Sequence, residues 1–464
     1  MPSTTGGNPA PRPDGASRLN RLYQIAFYLS AMFLAFVAGA VATDLNWAVG
    51  DWARDAFLAA RAVTSGHLLT EDEYPKLLWN VARTDARGLR KYDPRQSAGG
   101  YTLYSAADSP SAILLDERGD ELHRWTMPLS RACPNAPVSR WVADRGILVR
   151  RTQLFPNGDL MALYDTPQFT PSGCGLVRMD CDSEVIWAFD EPAHHDFAVD
   201  PAGNTWVLTN AIRRTAHPQW QELELPIIEE FVVKLDPQGH PVQRMSLFDL
   251  LGSSRFHRPL VSLANQLGDV LHSNTVNLAG EKFAAHHPDV SHGDLIVCLR
   301  NLNLVVAINP DRAAIVWAVA GPWRRPHDPD PLDNGHLLVF DNCYAGGSVE
   351  GSRVVEVDPR DASIVWAFTG TGDDRLYSQI RSSQQRLPGG NVLITESDFG
   401  RILEVTRDGQ VVWEYVHPGR GTRDGQTLIP VICGAQRYDP QQLDFLDRQP
   451  SAVAKTRADQ KKGI

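Results

Sequence analysis

From about Tyr101 onward, short apolar runs alternate with polar turns, and the runs come in pairs. Six segments share one design: an apolar run, an acid or turn residue, a glycine or polar turn, then a second apolar run often ending in tryptophan. They occupy residues 112–125, 176–189, 231–247, 305–319, 354–368 and 402–415. Period-two alternation around turn residues predicts a β-hairpin in each. A second element recurs between them, a turn glycine followed by an apolar strand, at residues 155–163, 200–208, 332–340 and 387–395. Units of roughly 45 to 65 residues with several strands each are the signature of a β-propeller. The expected fold is therefore all-β, a six-bladed propeller over residues 99–440. A two-sheet sandwich would not explain one hairpin design recurring six times. The strand near residues 101–105 is expected to close the ring against the last blade.

The pattern differs at both ends. Residues 1–20 are rich in Pro, Gly, Ser and Thr, which predicts disorder. Residues 22–43 carry no charge and are mostly apolar, long enough to cross a bilayer as a helix. Arg12, Arg18 and Arg21 precede this run and Asp44 and Asp51 follow it. The positive-inside rule then places the N-terminus in the cytoplasm and the rest outside. The expectation is an inner-membrane anchor over residues 21–45, with a cleaved signal peptide ending near Ala42 as the competitor. Residues 46–98 read as a helical juxtamembrane segment, and residues 441–464 as a polar tail.

The formal net charge of −10, with no basic stripe against it, argues against a nucleic-acid partner. Six cysteines without a CxxC pair argue against a structural zinc site. They read as buried thiols, with disulfides open if the domain lies outside the cytoplasm.

The repeats align with one another. Eight residues before each turn glycine stand Arg150, His195, His327 and Ser382. Equivalent positions on successive blades point at one axis, so these four should ring one mouth of the channel. In the fourth blade, where an insertion replaces the plain turn, His272-Ser273-Asn274 and Arg300-Asn301 flank apolar strands. A guanidinium at the end of a buried strand needs a partner, and an anion on the axis would serve. Metal binding by the histidines and transfer of an anionic group through a histidine both fit. The arginines weigh against a cation. Trp323, Tyr344 and Tyr377 are candidates for contact with an aromatic ring.

HHDFAVDPAGN, DVLHSNTV, GDLIVCLRNLNLVVAI and PHDPDPLDNGHLLVFDN, in this order, resemble the bacterial arylsulfotransferase family of six-bladed propellers. The resemblance implies transfer of a sulfuryl group from an aryl sulfate to a phenol, without a nucleotide sulfate donor and without a cofactor. By motif, His327 would be the transiently sulfated nucleophile. His195, His272 and Arg300 would bind the sulfate oxygens and assist proton transfer. Asn274 and Asn301 would orient these groups, and Arg150 and Trp323 would contact substrate. A non-catalytic ligand-binding propeller and a metal-dependent hydrolase or lyase are the other classes the residues allow.

Overall fold

In the first three predicted hairpins an acid tightens the turn. The Asp116 carboxylate accepts the backbone N–H of Arg118 and Asp120, and Asp180 accepts those of Asp182 and Glu184. Asp236 does the same for Gln238 and His240. Such side-chain turns leave one residue at positive φ, filled by Gly119 and Gly239 in two cases.

In the computed structural model these hairpins are the outer two strands of five sheets and the two strands next to the outermost one in a sixth. The structure describes residues 23, 26–38, 78–136, 144, 147–166, 173–256, 268–345, 350–372 and 375–448. Five sheets have four antiparallel strands and the sixth has five. From the second sheet to the sixth, the innermost strands are Leu148–Leu154, Ala193–Val199, Ser273–Leu278, Pro326–Pro331 and Ser383–Arg386. This is the six-bladed propeller the repeats predict.

Burial follows the blade order. Second strands such as Leu160–Asp165 are buried throughout. Outer strands such as Val185–Phe189 face solvent along part of their length. Three of the hairpin tryptophans clamp one blade to the next. The indole N–H of Trp125 donates to the Gly158 carbonyl, that of Trp366 to Arg407 and that of Trp413 to Glu117.

Ring closure differs from expectation. Ile432–Tyr438, which lies outside the hairpin repeats, is the innermost strand of the first blade and pairs with Tyr101–Ala106. Gly88–Tyr92, expected in a helical segment, is instead the outermost strand of the sixth blade, paired with Val411–Val416. Trp79–Val81 is also a strand, in a small sheet with Gln426–Pro430 and Gly421–Arg423. A strand that completes a sheet from a distance takes its conformation from the partner, whatever its own periodicity.

Residues 1–68 and 69–464 form separate units. In the first, residues 26–38 are helical with exposed side chains. Among the described residues no helix is long and apolar enough to cross a membrane, so the anchor expected over residues 21–45 finds no support here. Much of that stretch lies outside the described residues, as do residues 1–20 and 449–464. Cys133, Cys174, Cys298 and Cys433 are buried free thiols.

Candidate active site

The innermost strands break their regular pairing where they reach the axis. The register shifts between Val149 and Arg151, Ala193 and Phe197, Ser273 and Thr275, His327 and Asp330, and Ile432 and Gly434. His195, Asp328 and Ser382 sit at φ of 60°, 51° and 73°. A bulge lets two consecutive side chains face one side, at a cost in backbone strain that recurs at functional sites.

The result is one small axial cavity of about 30 Å³. Arg150, His195, His327 and Ser382, the four positions aligned from the repeats, all line it, together with Asn274. Their immediate neighbours Arg151, Asp196, Asp328 and Arg381, and Cys433 from the closing strand, complete the wall.

His327 is buried, and its tautomer is set by its partners. Nδ1 lies 2.7 Å from Asn342 Oδ1 and 3.2 Å from the Arg325 carbonyl. Asn342 donates its amide N–H groups to the carbonyls of Ser378 and Arg381, which fixes its oxygen toward the imidazole. Both groups facing Nδ1 are acceptors, so Nδ1 carries the proton and Nε2 the lone pair. Burial, then the charges of Arg150 and Arg300, push the His327 pKa well below the usual histidine value. The ring is neutral at pH 7.

Arg150 and Arg381 supply the positive side of the cavity. Burial and then the Arg381 charge lower the Arg150 pKa to about 10. Arg381 lies 3.8 Å from the Asp165 carboxylate. The opposite side is ordered by Arg151, which bridges Asp196 at 2.9 Å and Asp328 at 3.3 Å. Asp328 therefore turns its charge toward a guanidinium, though it follows His327 directly in sequence. Burial raises the Asp196 pKa to about 7 against the pull of Arg151, and burial together with Asp328 holds Asp330 well above the usual carboxylate range.

His195 stands beside two further imidazoles. Its Nδ1 is 2.8 Å from His194 Nδ1, and its ring centre is 4.8 Å from that of His272. Burial, then Arg150 and His272, depress the His195 pKa well below the usual value. His272 is the partly exposed member, and its Nδ1 is hydrogen-bonded to Asp269. Burial pushes the Asp269 carboxyl up, but the bond and charge of His272 outweigh it and the net shift is downward. Glu230 lies under this group, its pKa raised to about 8 by burial, and accepts the N–H and hydroxyl of Ser273.

Arg300 lines a second, larger cavity of about 710 Å³, with Asn301, Asn303, Arg324, Arg325, Asn342 and Tyr377 in its wall. Asn342 thus belongs to this vestibule and also holds His327. Asn301 accepts from Arg300 at 3.0 Å and donates to the Asp269 carbonyl at 2.6 Å. Asn274 donates to the Pro326 carbonyl at 2.8 Å and so pins the neighbouring blade just before His327.

Trp323 is a correction. It is buried in a core cluster with Phe283 and Val339, donates its indole N–H to the Asn303 carbonyl, and lines neither cavity. Tyr377 does reach the vestibule, and the Tyr344 side chain lies outside the described residues. Among the described residues no group of three or more His, Cys, Asp or Glu could hold a metal ion.

Asn342, Arg381, Arg151 and Asp269 escaped the sequence reading. Asn342 carried a usable signal, a polar residue ending an apolar strand, the same feature that singled out Arg300.

Fold and site together define a six-bladed propeller with a neutral imidazole facing guanidinium groups on its axis. A family model described as arylsulfotransferase matches residues 151–418, more than half of the sequence. The chain belongs to the arylsulfotransferase family, and that membership supports arylsulfotransferase-like function on aryl sulfate and phenol substrates. No curated protein matches it. Among solved structures, a protein of unknown function from Bacteroides caccae is 14% identical, with 73% of this chain and 98% of that one covered and a TM-score of 0.44. A virginiamycin B lyase from Staphylococcus aureus is 11% identical, with 62% and 83% covered and a TM-score of 0.34. At such scores these likenesses decide nothing about the chemistry of this chain.

Proposed function

We propose that the chain transfers a sulfuryl group from an aryl sulfate to a phenol through a sulfated His327. The observation that carries this reading is the fixed tautomer of His327. Asn342 holds the proton on Nδ1, and the Nε2 lone pair belongs to a neutral ring beside Arg150. Nε2 attacks the sulfur, an S–N bond forms, the S–O bond to the aryl oxygen breaks, and the phenolate leaves with the electron pair. Arg150, Arg300 and Arg381 offset the charge on the sulfuryl oxygens.

The departing phenolate needs a proton. His272, paired with Asp269, suits that task better than His195, whose depressed pKa keeps it neutral. In the second half-reaction the acceptor oxygen attacks sulfur, its proton passes to the same imidazole, and His327 is released. Asn274 and Asn301 act as positioning residues through Pro326 and Asp269.

The test is incubation with 4-nitrophenyl sulfate in the absence of acceptor. One equivalent of 4-nitrophenol and a protein mass gain of one SO3 group are expected, with both absent in His327→Ala. Full turnover by that variant would remove His327 from the role. The placement of the propeller outside the cytoplasm is likewise proposed, from the uncharged run 22–43 and the arginines before it. Protease accessibility in bacterial spheroplasts checks it.

A further inference from the structure

The axial cavity is too small for an aryl ester. At about 30 Å³ it takes one small group, whereas the vestibule, at about 710 Å³, has the size of a ligand site. If the proposed reaction is right, the ring of the substrate stands in the vestibule while its sulfuryl group reaches His327. The lining of the vestibule then bears on which rings are accepted.

That lining is cationic in a chain whose net charge is −10. Arg300, Arg324 and Arg325 face the space, and none of its described lining residues is a carboxylate. Arg324 and Arg325 are exposed, and among the described residues neither guanidinium is in an ion pair. The acid closest in the bonding pattern is already used. Asp341 accepts the backbone N–H of Arg324 at 2.9 Å and the Arg353 guanidinium at 2.8 Å. The backbone under these arginines is held in place rather than loose. Arg325 has φ of 52°, and its N–H donates to Asn303 Oδ1 at 2.7 Å; Asn303 is itself left-handed at 53°. The Arg324 carbonyl accepts the Cys343 N–H at 3.3 Å. The Arg325 charge acts on Arg300, so the three cations share one field. Polar groups on Asn301, Asn303 and Gln379 and the Tyr377 ring complete a surface suited to a flat, negatively substituted aromatic.

Arg300 is assigned to the group in transfer. Two guanidinium groups remain without an anion. We infer that the vestibule selects aryl substrates bearing a second negative group, a carboxylate or sulfonate on the ring or a short arm, bound by Arg324 and Arg325. This rests on the proposed transfer reaction for its meaning and is tested separately from it.

The experiment uses the full chain, 4-nitrophenyl sulfate as donor, and 4-hydroxyphenylacetate against 4-methylphenol as acceptors. The expected result is a kcat/KM ratio of about ten or more in favour of the carboxylate, the scale of one charge-assisted contact. In the Arg324→Gln/Arg325→Gln variant the ratio falls to near one. A ratio near one in the wild type, or a ratio retained in the double variant, overturns the inference and leaves the transfer reaction standing. Calorimetric titration with 4-hydroxyphenylacetate supplies the arm that needs no turnover. Binding about ten-fold tighter to the wild type than to the double variant is expected, and equal affinity overturns the site. If no donor–acceptor pair is turned over but that difference holds, the transfer reaction fails and the anion site stands.

Discussion

Arg150 and Arg151 are neighbours on one strand, the first buried and the second half-buried, and they live in opposite fields. Arg150 faces Arg381 and His327, and its pKa is driven down to about 10 by burial and like charge. Arg151 faces Asp196 and Asp328, and their charges outweigh burial and raise it. The register shift between Val149 and Arg151 makes this possible, because it interrupts the alternation that would send consecutive side chains to opposite faces. The axial cavity therefore has an arginine-rich side, where Arg150 and Arg381 stand near Asp165, and a side where Arg151 is paired with two carboxylates. A bound sulfuryl group would complete the first. The second is structural, and it keeps Asp328 away from the incoming anion.

The comparison can be broken by exchanging the two phenotypes. Arg150→Met is expected to lower kcat by about 10² to 10³-fold, the loss seen when one preorganised charge donor is removed, with the denaturation midpoint hardly moved. Arg151→Met should do the reverse. Leaving Asp196 and Asp328 without their shared cation costs about 3–5 kcal/mol of stability, read by chemical denaturation. If Arg150→Met unfolded the protein and Arg151→Met lost only activity, the division would be wrong.

Asn342→Ala sharpens the same point from the imidazole side. It frees the His327 ring to adopt other orientations and tautomers, and release of 4-nitrophenol should slow by about 10²-fold. The pH profile is a finer probe. A depressed pKa means the reactive, unprotonated ring persists as pH falls, so the acid limb of the donor half-reaction should lie well below 6.5. Asn342→Asp puts a carboxylate against Nδ1, favours the imidazolium, and should move that limb upward. A limb at ordinary histidine pH in the wild type would contradict the burial of His327. The smallest effect is expected at Trp323→Phe. Loss of its bond to the Asn303 carbonyl costs about 1 kcal/mol of stability, with the pH profile unaltered.

The ring was legible in the sequence because propeller geometry repeats at a fixed distance from a constrained residue. Gly158, Gly203, Gly335 and Gly390 all hold positive φ at the turn after the first strand. Counting back from them finds Arg150, His195, His327 and Ser382 whatever those residues are. Arg151, Asp196 and Arg381 were not legible, because strict alternation sends a neighbour of a ring residue away from the axis; bulges bring back the first two, and left-handed backbone at Arg381 and Ser382 accompanies the third. The closing strands were hidden for another reason. GLRKY at Gly88–Tyr92 has no apolar alternation, and its place is set by Val411–Val416, more than three hundred residues away in the chain. Trp323 was misplaced because an aromatic near a candidate nucleophile is not distinguishable, from sequence alone, from one packed beneath it.

Closure by both flanks of the repeat has a consequence for biogenesis. Cys433, a wall residue of the axial cavity, rides on Ile432–Tyr438, the last of the described strands in chain order, and that strand must slide in beside Tyr101–Ala106, made long before. Blades two to five can form in order as they emerge, since each is contiguous in the chain. The binding cavity cannot. It comes into being only once Ile432–Tyr438 has joined Tyr101–Ala106, so a chain that stops short of that strand has blades but an open axial cavity.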